Sequence, residues 1–175
     1  MTRIEVTKKI DFSIKLMSET LSQFSSEPFF SRKNDKWSPA EQAQHLVLSI
    51  KPLQLAYRLP GFALRLLFGK MNRPTRTYEE LLDKYHAKLE TGATASAAYE
   101  PKQLKTGTTP EGVILSLRMA HQQLLKKVEN WKESDLDKYV LPHPLLGKIS
   151  LREMLYFTDF HILHHNTLTK TIYLS

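Results

Sequence analysis

Helix-start signals recur along this chain and constrain its fold more than any other feature. Ser38-Pro39-Ala40-Glu41 combines a capping serine, a proline at the first helical position and a glutamate three residues on. Thr77 to Glu80 and Ser150 to Glu153 repeat the Ser/Thr-x-x-Glu box, and Thr109-Pro110-Glu111 is a partial version. These patterns predict helices opening near 38, 77, 109 and 150. An earlier helix, about 5 to 24, is predicted from Ile10, Ile14, Met17, Leu21 and Phe24, which alternate four- and three-residue steps. No segment alternates convincingly as a strand. Tyr139-Val140-Leu141 is the one short candidate and is read as loop. Loops are expected at 25–36, 91–108 and 132–148, where glycines and prolines interrupt the periodicity. The expected class is therefore all-α, with one domain spanning 1–175.

Composition narrows the chemistry. The chain has 175 residues, 41% of them hydrophobic, enough to bury a sizeable core. It has no cysteine, which rules out disulfides, cysteine-ligated zinc and a thiolate nucleophile of its own. Any metal must be held by histidine, carboxylate or water. The lack of cysteine also fits a reducing cytoplasm, which is the expected location. The first residues lack an apolar signal-peptide core, and no run is long enough to span a bilayer. The net charge of +7 is scattered. Its densest stretches, Arg58 to Arg76 and Lys126-Lys127, form no stripe with interleaved aromatics, so no nucleic acid is expected as a partner.

Leu53 to Phe68 stands apart. Pro60-Gly61 interrupts it, yet it is apolar nearly all round and carries Arg58 and Arg65. A membrane-surface helix would look like this, but such a piece more often covers a core, lines a pocket or forms a dimer interface. No membrane partner is expected.

The last predicted helix carries Leu151, Met154, Thr158, His161, His165, Leu168 and Ile172 on one stripe. His161 and His165 are spaced i,i+4 and face where the apolar residues face; His164 lies off the stripe. Two inward imidazoles need partners, because a buried unpaired ring nitrogen is costly. One divalent cation would satisfy both; two hydrogen-bonded core histidines are the alternative. For a third ligand, spacing does not separate His45 from His121. His86 lies among charged residues and is expected to be exposed. His143, between two prolines, could border a pocket.

Trp37-Ser38-Pro39-Ala40-Glu41, with His45 eight residues after the tryptophan, resembles the second-helix motif of the DinB-like superfamily, which includes YfiT-type metal-dependent hydrolases. His143 to Leu155 resembles the loop and helix start of that family, and His161-Ile162-Leu163-His164-His165 its closing His-x-x-x-His motif. The family's last motif often continues Gly-Gln-Ile, where this chain has Asn166-Thr167-Leu168. The resemblance implies an up-down-down-up four-helix bundle, here with a short extra helical segment. It also implies that His45, His161 and His165 bind zinc, nickel or a similar divalent ion. His121 then becomes a residue near the ligands or in the pocket.

The function so implied is a divalent-metal-dependent enzyme of hydrolase or thiol-transferase type. Its partner would be a small-molecule substrate, including a low-molecular-weight thiol. Glu41 and Asp159 lie near the histidines in sequence but on no clearly inward position, and neither is assigned as a base. The alternative is a non-catalytic bundle, of a binding or stress-response kind, with a structural metal or none. Bundles of this type can pair through helix faces, so a homodimer is part of the expectation.

Overall fold

A computed structural model describes residues 1–92 and 97–174 of the chain. Four long helices form the bundle: α1 (Arg3–Leu21), α3 (Pro39–Ala56), α6 (Pro110–Val128) and α7 (Leu151–Tyr173). Around them lie α2 (Ser26–Phe30), α4 (Gly61–Phe68), α5 (Tyr78–Glu90) and a β-hairpin of β1 (Val140–His143) and β2 (Gly147–Ser150). The capping boxes at Ser38, Thr77 and Ser150 are all formed, each with reciprocal side-chain and backbone bonds, and Thr2 builds a further box with Glu5. Thr109 caps α6 through the Gly112 amide.

Hydrogen bonds along the helices set their directions. Met1 meets Arg152 and Tyr156, and Ser13 meets Asp159, so α1 and α7 run parallel. Gln42 meets His165 and Tyr57 meets Leu151, so α3 runs against α7. Gln54 reaches Ala120, and the Tyr57 carbonyl accepts from Trp131, so α3 and α6 run together. The topology is up-down-down-up. Each helix of the ring packs on two neighbours: α1 on α7 and α6, α3 on α6 and α7. Val6, Ile10, Ile14, Met17 and Leu21 of α1 are buried at the alternating spacing the sequence predicts.

The sequence reading of the linkers needs correction at three places. The 25–36 stretch holds α2, whose Phe29 is fully buried. The 132–148 stretch holds a 3-10 turn at Glu133–Asp135 and the hairpin, so Val140-Leu141 is strand, not loop. Proline explains why the hairpin escaped notice. Pro142 removes a ladder donor and breaks the alternation, and only four residues pair on each side. Gly147, at φ +74°, closes the turn in a conformation that favours glycine. The 91–108 stretch has a 3-10 turn at Ala97–Tyr99.

The apolar segment 53–68 is divided between two elements. Leu53 and Ala56 end α3, Pro60 caps α4, and Leu64 of α4 is fully buried. Leu53 and Phe68 line the cavity described below, while Phe62, Leu66 and Leu67 face outward. Gly61 permits this docking: a Cβ there would overlap the tip of the Tyr139 ring. No described helix is long and apolar enough to cross a membrane.

The start of α7 is held firmly. Glu153, with a fully buried side chain, accepts from the Ser150 amide and is paired with Arg73 at 2.6 Å and Arg76 at 3.5 Å. Arg152 pairs with Glu133 and Asp137. Ser150 is both the last residue of β2 and the cap of α7, so the hairpin and the helix share one residue.

Candidate metal centre

His45 sits in the second turn of α3 and His161 and His165 in the middle of α7, facing one another across the antiparallel pair. All three side chains are buried. His45 Nε2 lies 3.1 Å from His161 Nε2, which lies 3.0 Å from His165 Nε2. Their ligand atoms fall within 4.8 Å of one another, and they are the group of three or more potential ligands found among the described residues.

Proton bookkeeping at this cluster is decisive. His45 Nδ1 is 2.7 Å from the Tyr99 carbonyl oxygen, so it must carry the hydrogen and donate. His165 Nδ1 is 2.5 Å from Gln42 Oε1 and donates likewise, since the Gln42 amide nitrogen is turned to the Trp37 carbonyl. In neutral rings, that leaves a bare lone pair on Nε2 of both His45 and His165. His161 Nε2 sits between them with at most one proton, so at least one lone pair stays unpaired in a buried site. Protonating the rings does not resolve this, because burial pushes His161 and His165 well below the ordinary imidazole range and lowers His45 too. Adjacent histidines reinforce the shift at His161 and His165, while the Tyr99 bond partly opposes it at His45. Neutral imidazoles with converging lone pairs are the donor set of a divalent cation. Nitrogens held about 2.0–2.1 Å from one zinc ion in tetrahedral geometry lie about 3.3 Å apart, close to the spacing here. The triad could hold a metal.

The rings are braced. Trp37 lies 5.0 Å from His45 and stacks on His165 at 6.4 Å and 11°, and Phe157 stacks on His161 at 4.9 Å and 23°. With Nδ1 of His45 and His165 already bonded, ring orientation is set before any ligand arrives.

A cavity of about 760 Å³ opens over the triad. Leu46, Ile50, Leu53, Phe68, Tyr85 and Met154 contribute to its walls. His121 and His143 stand in the wall, outside the triad's cluster. His121 also backs a second cavity between α1 and α6. His164 lines the first cavity although it lies off the α7 stripe, and His86 is exposed as expected.

Asp159 requires a correction. It is buried rather than peripheral, and its carboxylate accepts from Ser13 Oγ at 2.6 Å and Tyr78 OH at 2.8 Å. It ties α7 to α1 and α5 and lies outside the triad. Glu41 caps α3 and pairs with Arg32. Two partners of the triad went unread in the sequence. Gln42 could have been found, since it lies three residues before His45 and so on the same helix face. Tyr99 acts through its backbone carbonyl and carries no side-chain signal.

Comparison with known proteins agrees with this architecture. The family model for the DinB superfamily matches residues 9–168. A solved structure, TT2238, a four-helix bundle protein, is similar with a TM-score of 0.63 and 18% identity over 97% of this chain and 99% of that one. At that identity the likeness concerns the fold. No curated protein matches the chain.

Proposed function

The chain belongs to the DinB superfamily, and we propose that it is a divalent-metal-dependent enzyme, of hydrolase or thiol-transferase type, acting on a small molecule in the cavity above His45, His161 and His165. The observation that carries this reading is the shortage of protons among the three converging Nε2 atoms, which a zinc or nickel ion would satisfy. A bound ion of this kind would supply Lewis acidity, polarising a substrate oxygen and making a water or thiol more acidic. The chain's residues do the rest. Tyr99 and Gln42 hold His45 and His165 in the tautomer with Nε2 free. Trp37 and Phe157 restrain the rings, and the apolar wall limits water around the reacting groups. A purely structural ion calls for a closed fourth ligand, and His121 is not within the cluster. That favours the enzyme over the non-catalytic bundle.

Metal analysis of tag-free protein tests the site, with His161→Ala and His165→Ala beside the natural chain. Stoichiometric metal is expected in the natural protein and lost in both variants; metal kept in both would overturn the assignment. Loading with Co(II) then tests for an accessible position, where added azide or a small thiol should shift the visible spectrum.

A further inference from the structure

Helix α4 has two unlike faces. Leu64 is fully buried and Phe68 stands in the cavity wall, so one face closes the molecule. On the other, Phe62 is 75% exposed, Leu66 85% and Leu67 62%. Phe62 and Leu66 are spaced i,i+4 and project side by side, with Leu67 on the same outward arc. None of the three lines either cavity or packs on the buried core. The sequence reading took 53–68 as one stretch and expected no membrane partner. The structure divides that stretch and leaves an outer face that the all-round apolar pattern had blended with the buried one.

The charges around this face have one sign. From Gln42 to Tyr78 the sequence holds six lysines and arginines and no aspartate or glutamate. Arg73 and Arg76 are committed to Glu153. Arg65 lies on α4 itself, and Arg58 and Lys70 lie within three residues of its ends. All three are exposed, and none forms an ion pair with a described residue. Lys148 joins them from β2, its ammonium 2.7 Å from the Phe68 carbonyl at the end of α4. Asp135 and Asp137, in the segment before the hairpin, are paired with Lys138 and Arg152.

This combination selects what can cover the face. A two-fold pairing with a second copy would set Arg58, Arg65, Lys70 and Lys148 against the same four cations of the other copy. A stable protein interface needs about 800 Å² from each side, more than two turns of helix with three apolar side chains supply. An anionic lipid surface needs no matching shape. It accepts projecting apolar side chains one by one, and its headgroups complement the cations.

We propose that α4 docks the protein on an anionic phospholipid surface, with Phe62, Leu66 and Leu67 entering the boundary between headgroups and acyl chains and Arg58, Arg65, Lys70 and Lys148 meeting the phosphates. The binding is peripheral and reversible, as suits a helix of two turns. It depends neither on the triad nor on the reaction proposed above, and loss of metal leaves it intact.

The test is co-sedimentation of the full chain with vesicles of phosphatidylcholine alone, and with about a third of the lipid replaced by phosphatidylglycerol. The anionic vesicles should bind at least about ten-fold more tightly, since each cation near such a surface is worth about a factor of five. Raising the salt from 0.1 to 0.5 M should release the protein. The double variant Phe62→Ala, Leu66→Ala changes only exposed positions and should bind about ten-fold more weakly. Arg65→Glu should weaken binding by a similar factor. Lys8→Glu, the same charge change at an exposed lysine of α1, should stay within about two-fold of the natural chain. Phe62→Trp supplies a readout that charge alone would not move. Its fluorescence should be quenched by brominated acyl chains in the anionic vesicles, beyond any quenching of Trp37 and Trp131 in the natural chain. No binding at 2 mM lipid, equal binding to both vesicles, or a Phe62→Trp reporter untouched by the brominated chains would each overturn the proposal. So would a double variant that binds as tightly as the natural chain, which would reduce the attraction to charge that any acidic protein or polymer could meet. A lipid-free dimer that the double variant dissociates would assign the face to a second copy instead.

Discussion

Gln42 Oε1 and His165 Nδ1 lie 2.5 Å apart, joining the first turn of α3 to the middle of α7. The amide bonds to Nδ1 and not to Nε2, yet it decides which nitrogen of His165 is free. Truncating it in Gln42→Ala should leave the ring free to change tautomer and should weaken zinc affinity about 10- to 100-fold. Competition against a chromophoric chelator measures this, and an unchanged affinity would show that Trp37 alone orients the ring.

Metal should act on the folded chain as a stabilising ligand. At zinc concentrations about 100-fold above Kd, the folded state gains about 2.7 kcal/mol, or about 5–10 °C in Tm for a domain of this size. Differential scanning calorimetry should show that rise for the natural protein and none for His165→Ala.

Acid should destabilise the metal-free protein from about pH 6.5 downward. Burial pushes His121 down to about 4 from the ordinary 6.5. Above pH 6.5 the ring is neutral in both folded and unfolded chains and stability does not change with pH. Between 6.5 and 4 the unfolded chain takes up a proton that the folded chain refuses, so stability falls as pH falls. The loss from this one residue is about 3 kcal/mol across that window. Urea unfolding in EDTA at pH 7 and pH 4.5 should show a clear drop for the natural chain and a smaller one for His121→Leu.

A Cβ at Gly61 would overlap the tip of the half-buried Tyr139 ring, so the ring must move to admit one. Gly61→Ala should force the Tyr139 ring away from its edge-on contact with Trp131 and cost about 1 kcal/mol. A lowered urea midpoint checks the stability effect. Pairing the change with Tyr139→Ala should recover part of the loss, because it removes the ring that clashes.

The helices were legible because their caps are local: each box lies within four residues, and all three full boxes noted in the sequence are formed. The inward face of His161 and His165 was legible from the α7 stripe for the same reason. The choice between His45 and His121 was not. The later half of α3 is apolar on most sides because it meets α6, α7 and the cavity together, so no helical wheel singles out one direction. Only the resemblance named His45, and the structure brings it within 3.1 Å of His161 while leaving His121 in the cavity wall. The hairpin was hidden by Pro142, and the burial of Asp159 by partners more than 80 residues away in sequence, Ser13 and Tyr78.

Parallel neighbours in a bundle impose a return journey. Helices α3 and α6 run the same way side by side, so after the 18-residue α3 the chain must travel back about 27 Å before α6 can start. A tight turn cannot serve. The detour carries α4 and α5, and Phe68, Tyr85, Leu89 and Tyr99 on that path face the cavity or the triad. The two helices that carry the triad are bound by the demands of a shared core, whereas the detour is anchored to them where Arg73, Arg76 and Tyr78 meet α7 and the Tyr99 carbonyl meets His45. Between those anchors, apolar side chains such as Phe68 and Leu89 can change without removing a hydrogen bond or ion pair to α3 or α7. Divergence in what such a bundle recognises therefore has a natural place to accumulate, on the stretch of chain whose length is compulsory and whose surface is not.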